Sequence, residues 1–254
     1  MELSSQRIGT REKLILVGLY LSKYDSVGLK RLGFDSFIEA FNVIGYAMAS
    51  KPASIKNYRD EFDPLFPNRR KGWHKRKTRN YCLKVFEEYK RLDLESFTGL
   101  IESFVGYDEN AWSQVQRKKK PGDRQSYFAQ RLITGLAAER YFESVRPNLS
   151  EFKGYTVLNT TGLGCGYDFR MDIETSKDFL VVEVKGLNGV TGSLSLTPKE
   201  HEIARTLTDR FFLFIVRNFR ESPFHEIFRN PLSSGLRFRK SERVTVQISW
   251  VANV

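Results

Sequence analysis

Apolar residues in the first half of the chain recur at the spacing of an α-helix. Leu14, Val17 and Leu21 fall on one helical face within residues 11–23. Similar patterns predict four more helices. The second is capped by Asp35 and has Phe37, Ile38, Phe41 and Ile44 as its apolar residues, and the third, over 54–63, is capped by Ser54. The fourth, over 79–92, has Leu83 and Phe86 facing inward, and the fifth lies around 97–104. Pro52 is expected to break the chain between the second and third helices. No strand pair is predicted before residue 150, so this half is expected to be all-α.

The pattern changes in the second half of the chain. A strong helix is predicted over residues 124–145, and short apolar or alternating segments follow it. Thr197-Pro198-Lys199-Glu200 has the cap, the proline and the glutamate of a helix N-terminus, which predicts a helix to about Leu207. The strand signals are 155–158, 169–173, 179–185, 193–196, 211–216 and 243–250. The main order, αβββαβ, predicts an α/β fold with helices on a sheet.

Positive charge is concentrated in the first half. The chain has a net charge of +11, and residues 1–120 contain 23 Lys and Arg against 15 Asp and Glu. A basic run, Arg117 to Lys120, closed by Pro121-Gly122 marks the expected boundary between domains 1–120 and 121–254. An excess of this size favours a polyanionic partner, above all a nucleic acid.

The densest basic segment is residues 68–79, here called the basic loop, in which seven of twelve residues are Lys or Arg. Cations that neutralise phosphates release counterions and give salt-dependent affinity. The predicted DNA contacts are Arg69, Arg70, Lys71, Trp73, Lys75, Arg76 and Lys77. The alternative is a solvated surface loop. The preceding helix, 54–63, fits either a helix-turn-helix reading head or ordinary packing, and its acidic residues would repel phosphate unless they face away.

Several classes of protein are excluded by composition. Two cysteines, Cys82 and Cys165, are too few for a disulfide framework or a cysteine-rich zinc site. The N-terminus lacks the apolar core of a signal peptide, and no apolar run reaches about 18 residues. We therefore expect a soluble protein of the cytoplasm.

The candidate chemistry lies on two neighbouring strands. Glu183 and Lys185 are two residues apart, so both point to one face of the predicted strand. Asp168 stands fifteen residues before Glu183, after a turn rich in glycine. Two carboxylates can hold Mg²⁺, the metal polarises a phosphate, and a lysine stabilises the charge that develops on it. The set predicts metal-assisted hydrolysis of phosphodiesters, with Mg²⁺ as cofactor and Mn²⁺ as a substitute.

Two alternatives stay open within this set. Asp172 has the same strand parity as Asp168 and is a second candidate for the metal ligand. Glu139 lies on the apolar stripe of the helix 124–145, where a carboxylate needs a metal or a charged partner. It is either a support of the metal site or one half of a buried salt bridge.

These residues lie in strings that resemble a known family. The strings are GLAAERYF, GLGCGYDF, FLVVEVKG, SLSLTPKEHEIA and FFLFIVRNF, between residues 125 and 220. They resemble the PD-(D/E)xK nuclease superfamily, which includes many restriction endonucleases. More narrowly, they are similar to the restriction-associated nuclease domain at the C-terminus of NO VEIN-type proteins. Tyr167 stands where the superfamily name has proline.

The resemblance implies a restriction-endonuclease-like mixed β-sheet flanked by helices and preceded by the all-α domain. It implies Asp168 and Glu183 as metal ligands, Lys185 as the catalytic lysine and Glu139 as a supporting carboxylate. We expect an endonuclease that cuts double-stranded DNA at a short sequence, acting as a homodimer. The alternatives are a related DNase of repair or of modified DNA, and a DNA-binding protein whose nuclease-like fold does not cut.

Overall fold

A computed structural model describes residues 8–73, 75–104, 124–174 and 178–242. These residues form seven α-helices and one five-stranded sheet. The helices are α1 (Thr10–Arg31), α2 (Phe37–Ala47), α3 (Pro52–Phe62), α4 (Asn80–Tyr89), α5 (Leu94–Phe104), α6 (Arg124–Val145) and α7 (Pro198–Leu207). The strands are β1 (Thr156–Asn159), β2 (Phe169–Asp172), β3 (Phe179–Gly186), β4 (Phe211–Arg217) and β5 (Phe224–Arg229). The predicted boundary run 117–122 and the predicted strand 243–250 lie outside the described residues.

The first half is helical, as predicted, and α1 is kinked at Asp25, just after the predicted segment 11–23. Asp25 has non-helical backbone angles, with a φ of 47°. The short helical segment after the kink contains Gly28, whose carbonyl accepts from the Tyr20 hydroxyl at 3.1 Å, and Asp25 itself pairs with Arg70. Tertiary contacts therefore hold the kink in place.

Two predicted helix caps are wrong by one or more residues. Ser36, not Asp35, caps α2, since its hydroxyl accepts from the Glu39 N–H at 3.1 Å. Pro52 opens α3 instead of breaking the chain, because proline has no N–H to lose in the first turn. Ser54 therefore lies inside the helix.

Two predicted core positions are also wrong. Ile38 is 53% exposed and Leu83 is 38% exposed, whereas Cys82 and Val85 of α4 are buried. In α2 the predicted Phe41 and Ile44 are buried, so only Ile38 falls outside the buried face, whereas α4 buries a face next to the predicted one.

The sheet has the strand order β1-β2-β3-β4-β5. β3 and β4 are parallel and joined by α7, while the other neighbours are antiparallel. Strand β5 was not predicted, because its charged and exposed pattern reflects an edge strand that depends on pairing with β4. Residues 193–196 form no strand. The capping box of α7 at Thr197 and Glu200 is confirmed.

Opposite faces of the sheet are covered by different helices. Six of the seven residues of β4 are buried, as predicted for a central strand. On one face, Val182 and Val184 belong to the core that includes Phe142 of α6. On the other face, Val181 packs with Ala204 of α7.

One apolar core runs through both halves of the chain. Its buried residues extend from Leu14 of α1 to Phe219 after β4. Helix α2 packs on α6, and the Asn42 side chain donates to the carbonyl oxygens of Phe219 at 2.8 Å and Glu221 at 3.0 Å. Within the described residues, no helix is long and apolar enough to cross a membrane.

Candidate active site

Asp168 lies directly before β2 and is fixed by hydrogen bonds on three sides. Its N–H donates to the Val182 carbonyl at 3.1 Å, and its carbonyl accepts from the Thr160 N–H at 2.8 Å. Its carboxylate accepts from the Val184 N–H at 2.8 Å. The paired register of β2 and β3 begins with Phe169 opposite Val182, so Asp168 lies just outside it and bonds to Val182 and Val184, on either side of Glu183. The Asp168 carboxylate is close enough to Glu183 to raise the pKa of that group.

The glycine turn before Asp168 packs against the first turns of α7. Gly164 and Gly166 have φ values of 59° and 93°, which favour glycine. A Cβ on Gly166 would lie 3.0 Å from Ile203, and the Lys199 ammonium donates to the Gly164 carbonyl at 2.5 Å. The contacts of this turn with α7 thus fix the position of Asp168 between β2 and α7.

Glu183 and Lys185 project from β3 toward the face that α7 covers. The side chain of Glu183 is 3% exposed, and the Lys185 ammonium donates to its carboxylate at 2.5 Å. The same ammonium donates to Glu200 of α7 at 3.0 Å. A lysine between two carboxylates compensates part of the cost of burying them.

The negative charges of the site repel one another. Burial, and then the Asp168 carboxylate, raise the pKa of Glu183 well above its ordinary value. Burial also raises the pKa of Asp168, although the hydrogen bond from the Val184 N–H opposes that change. Burial lowers the pKa of Lys185, but Glu183 and Glu200 raise it more, so that it lies above its ordinary value. A cation would relieve this repulsion.

Glu139 approaches the same group of charges from α6. Burial is the main cause that raises its pKa to about 7, and the Asp168 carboxylate adds to it. Among the described residues, no hydrogen bond or ion pair is formed to the Glu139 side chain, while its neighbour Arg140 pairs with Glu143. The salt-bridge alternative for Glu139 therefore finds no partner in the described part of the chain.

The donor set fits a magnesium ion held by two carboxylates. Mg²⁺ is commonly bound through one or two carboxylates, with water and substrate oxygens in the other positions. Asp168 and Glu183 supply such a pair of hard oxygen ligands. The described residues contain no group of three or more His, Cys, Asp or Glu side chains that could hold a metal ion, so Glu139 is not placed as a third direct ligand.

Asp172, the alternative ligand, lies at the other end of β2. It is paired in register with Phe179, at the start of β3, and its carboxylate binds Arg170 at 2.9 Å. The structure therefore brings Asp168, and not Asp172, beside Glu183.

Glu200 is a site residue that the sequence pattern did not reveal as such. It was predicted only as the helix-capping glutamate, and it does accept from the Thr197 N–H at 2.9 Å. Its available signal was its place in the first turn of the helix that follows β3. That turn returns to the end of β3 where Lys185 lies.

The basic loop contains two kinds of cation. Arg70 binds the fully buried Asp63 through two hydrogen bonds of 2.9 Å and also pairs with Asp25, so it is part of the fold. Arg79 likewise binds the buried Glu61. The cations left exposed are Arg69, Lys71, Lys75, Arg76 and Lys77, none of which pairs with a carboxylate in the described part of the chain.

Trp73 joins this surface to the fold. Its N–H donates to the Asp60 carbonyl at 2.8 Å, and the Arg76 guanidinium lies 3.3 Å from the centre of its ring. Gly72 has a φ of 50° and sits so close to Asp60 that a Cβ would lie 2.3 Å from its carbonyl oxygen. The acidic residues of α3 are paired within the fold, since Asp60 binds Lys56 and Arg59 and the buried Glu61 binds Arg79.

One comparison with known proteins gives a match. Residues 138–229 match the family described as "Protein NO VEIN, C-terminal". The match covers about a third of the chain, from the middle of α6 to the end of β5, and includes Glu139, Asp168, Glu183, Lys185 and Glu200. No curated protein and no solved structure gave a significant match.

Proposed function

We propose that the protein is a Mg²⁺-dependent endonuclease of the PD-(D/E)xK type that cuts double-stranded DNA at a short sequence. The observation that carries this proposal is the approach of the Asp168 carboxylate to Glu183, with the Lys185 ammonium bound to Glu183. The match to the NO VEIN C-terminal family over the region that contains all three residues is compatible with a nuclease.

Each side chain has a distinct part in the proposed reaction. Asp168 and Glu183 would hold the ion, which lowers the pKa of water and polarises the phosphate when bound. The Val184 N–H keeps the Asp168 carboxylate in its orientation. Lys185 would place its ammonium against the charge that develops on the attacked phosphate. Burial and Asp168 raise the pKa of Glu139 to about 7, so Glu139 would add negative potential that favours a divalent cation once it is ionised.

DNA would be held mainly by the exposed cations of the basic loop. These side chains form no ion pair with a carboxylate in the described part of the chain, and Arg76 stacks on Trp73, which suits sequence-independent contact with phosphates. We further propose a homodimer, since two symmetric sites suit the cutting of both strands. The proposed place of action is the cytoplasm, where such a protein would meet bacterial-type DNA.

The test is digestion of plasmid and bacteriophage DNA with Mg²⁺ or Mn²⁺, together with a gel-shift assay without metal. Lys185→Ala, Asp168→Asn and Glu183→Gln should each reduce the cleavage rate by about 10²–10³-fold, the usual effect of losing one preorganised electrostatic group. DNA binding should survive, because the basic loop is unchanged.

Asp172→Asn is the matched control, since it removes a carboxylate from the same strand beyond the site. It should cut at the wild-type rate. Discrete bands would support cutting at a specific sequence, and a smear would mean a general nuclease. Full cleavage by Lys185→Ala would contradict the assignment, and binding without cleavage by the wild type would mean a DNA-binding protein.

A further inference from the structure

We infer that Glu200 is a positioning residue that holds the Lys185 ammonium in place for catalysis. This inference rests on the proposed function for its consequence in cleavage, but it concerns a contact that can be tested without it. Glu200 lies on α7, outside β3 and the turn before β2 that carry the three proposed catalytic residues.

The Glu200 carboxylate serves two groups through one oxygen. Its Oε2 atom accepts from the Lys185 ammonium at 3.0 Å and from the Thr197 N–H at 2.9 Å. The Glu200 N–H in turn donates to the Thr197 hydroxyl at 3.2 Å. The Glu200 side chain is only 14% exposed. The hydrogen bond of the helix cap therefore holds the Glu200 carboxylate within hydrogen-bonding distance of the Lys185 ammonium.

Lys185 needs the Glu200 carboxylate because its other partner, Glu183, is also a proposed metal ligand. In the proposed site, Glu183 is shared between the metal ion and the ammonium. A long lysine side chain loses rotamer freedom when it is held in one place, and a single shared partner restrains it poorly. Glu200 gives Lys185 a partner that does not depend on the metal ligands.

A purely structural role for Glu200 makes a different prediction. If the glutamate only caps α7, a change that keeps the cap and removes only the charge should leave cleavage unchanged. Glu200→Gln keeps an amide oxygen that can accept from the Thr197 N–H but removes the negative charge. Thr197→Ala keeps that charge but removes the hydroxyl that caps the helix. The two variants thus separate capping from the contact with Lys185.

The experiment compares these variants in steady-state cleavage, thermal unfolding and crystal structures. Glu200→Gln should lower kcat at least tenfold, leave KM within about threefold and melt near the wild-type temperature. Thr197→Ala should melt at a lower temperature and keep kcat within about twofold of wild type. In the crystal structure of Glu200→Gln, the Lys185 ammonium should leave the position that it has in the wild type.

The outcomes distinguish this inference from the proposed function. If the wild type cuts and Glu200→Gln cuts equally well, the positioning role is wrong while the nuclease assignment stands. A loss of kcat in Thr197→Ala as large as that in Glu200→Gln would mean that the start of α7, and not the contact of Glu200 with Lys185, controls the rate, and would overturn the inference. If the wild type does not cut, the proposed function fails, and the crystal structures decide the inference. An ammonium unmoved without the Glu200 charge would then overturn it.

Discussion

Glu139 is a buried carboxyl group that carries a proton at a pH where most glutamates do not. Its pKa is about 7, against an ordinary value of 4.5, because burial and Asp168 disfavour the charged form. Below pH 4.5 the group is protonated in both the folded and the unfolded chain. Between pH 4.5 and 7 the folded chain holds the proton more tightly, so the stability that it confers is lost as the pH rises.

We therefore predict that Glu139→Gln becomes relatively more stable as the pH rises. In metal-free buffer, its free energy of unfolding relative to wild type should increase by about 2–3 kcal/mol between pH 5 and pH 8. Urea unfolding at the two pH values measures this difference. Glu143→Gln, which removes a carboxylate from the exposed ion pair on the same helix, controls for the loss of one charge. A difference that does not change with pH would contradict the burial of Glu139 near Asp168.

At the level of elements, the helical half is tied together by arginines that hold buried acids. Asp63 follows α3, is fully buried and accepts from Arg70 and from the Ser22 hydroxyl of α1. Arg70 also reaches Asp25 of α1. Arg79, directly before α4, does the same for the buried Glu61 of α3. The basic loop between α3 and α4 is anchored at both ends by these pairs.

We predict that Arg70→Ala destabilises the protein, whereas Lys71→Ala does not. Removing Arg70 leaves the buried Asp63 carboxylate without its main partner, which costs about 3 kcal/mol in similar cases. Lys71 is exposed and its truncation should change the stability by less than about 0.5 kcal/mol. Chemical unfolding of the two variants checks this. If Arg70→Ala is as stable as the wild type but binds DNA more weakly, Arg70 contacts phosphate, as the sequence predicted, and does not stabilise the fold.

These elements show which parts of the structure the sequence could and could not predict. The capping box at Thr197 and the β4 strand were predictable, because a cap is local and a doubly covered strand is a continuous apolar run. The approach of Asp168 to Glu183 followed from strand parity and a glycine turn. Glu200 and Arg70 were not predictable in their roles, since their partners are chosen by tertiary packing between elements.

At the level of the whole molecule, the number of Lys and Arg residues overstates the number of free cations, although the net charge of +11 is unchanged by internal ion pairs. Arg70 and Arg79 are paired within the fold, so the exposed cations of the basic loop should dominate the affinity for DNA. Lys71→Gln should weaken binding to all DNA sequences and reduce the slope of log K against log salt concentration by about one. Fluorescence anisotropy at several salt concentrations measures it.

Lys153→Gln provides the control for this measurement, since Lys153 is an exposed lysine in the other half of the chain. It should leave the slope unchanged. Equal slopes for the wild type and for a variant in which Lys71, Lys75 and Lys77 are all neutralised would mean that the basic loop is a solvated surface.

The core that spans both halves bears on how such a chain can evolve. The family match begins inside α6, yet Tyr141 of that helix packs edge-on against Tyr46 of α2, with ring centres 5.1 Å apart. Asn42 of α2 binds the chain just after β4. Gene fusion that carried only the matched segment into another protein would leave this apolar face bare. The matched segment therefore could not fold unchanged in another protein unless that protein supplied a helix in place of α2.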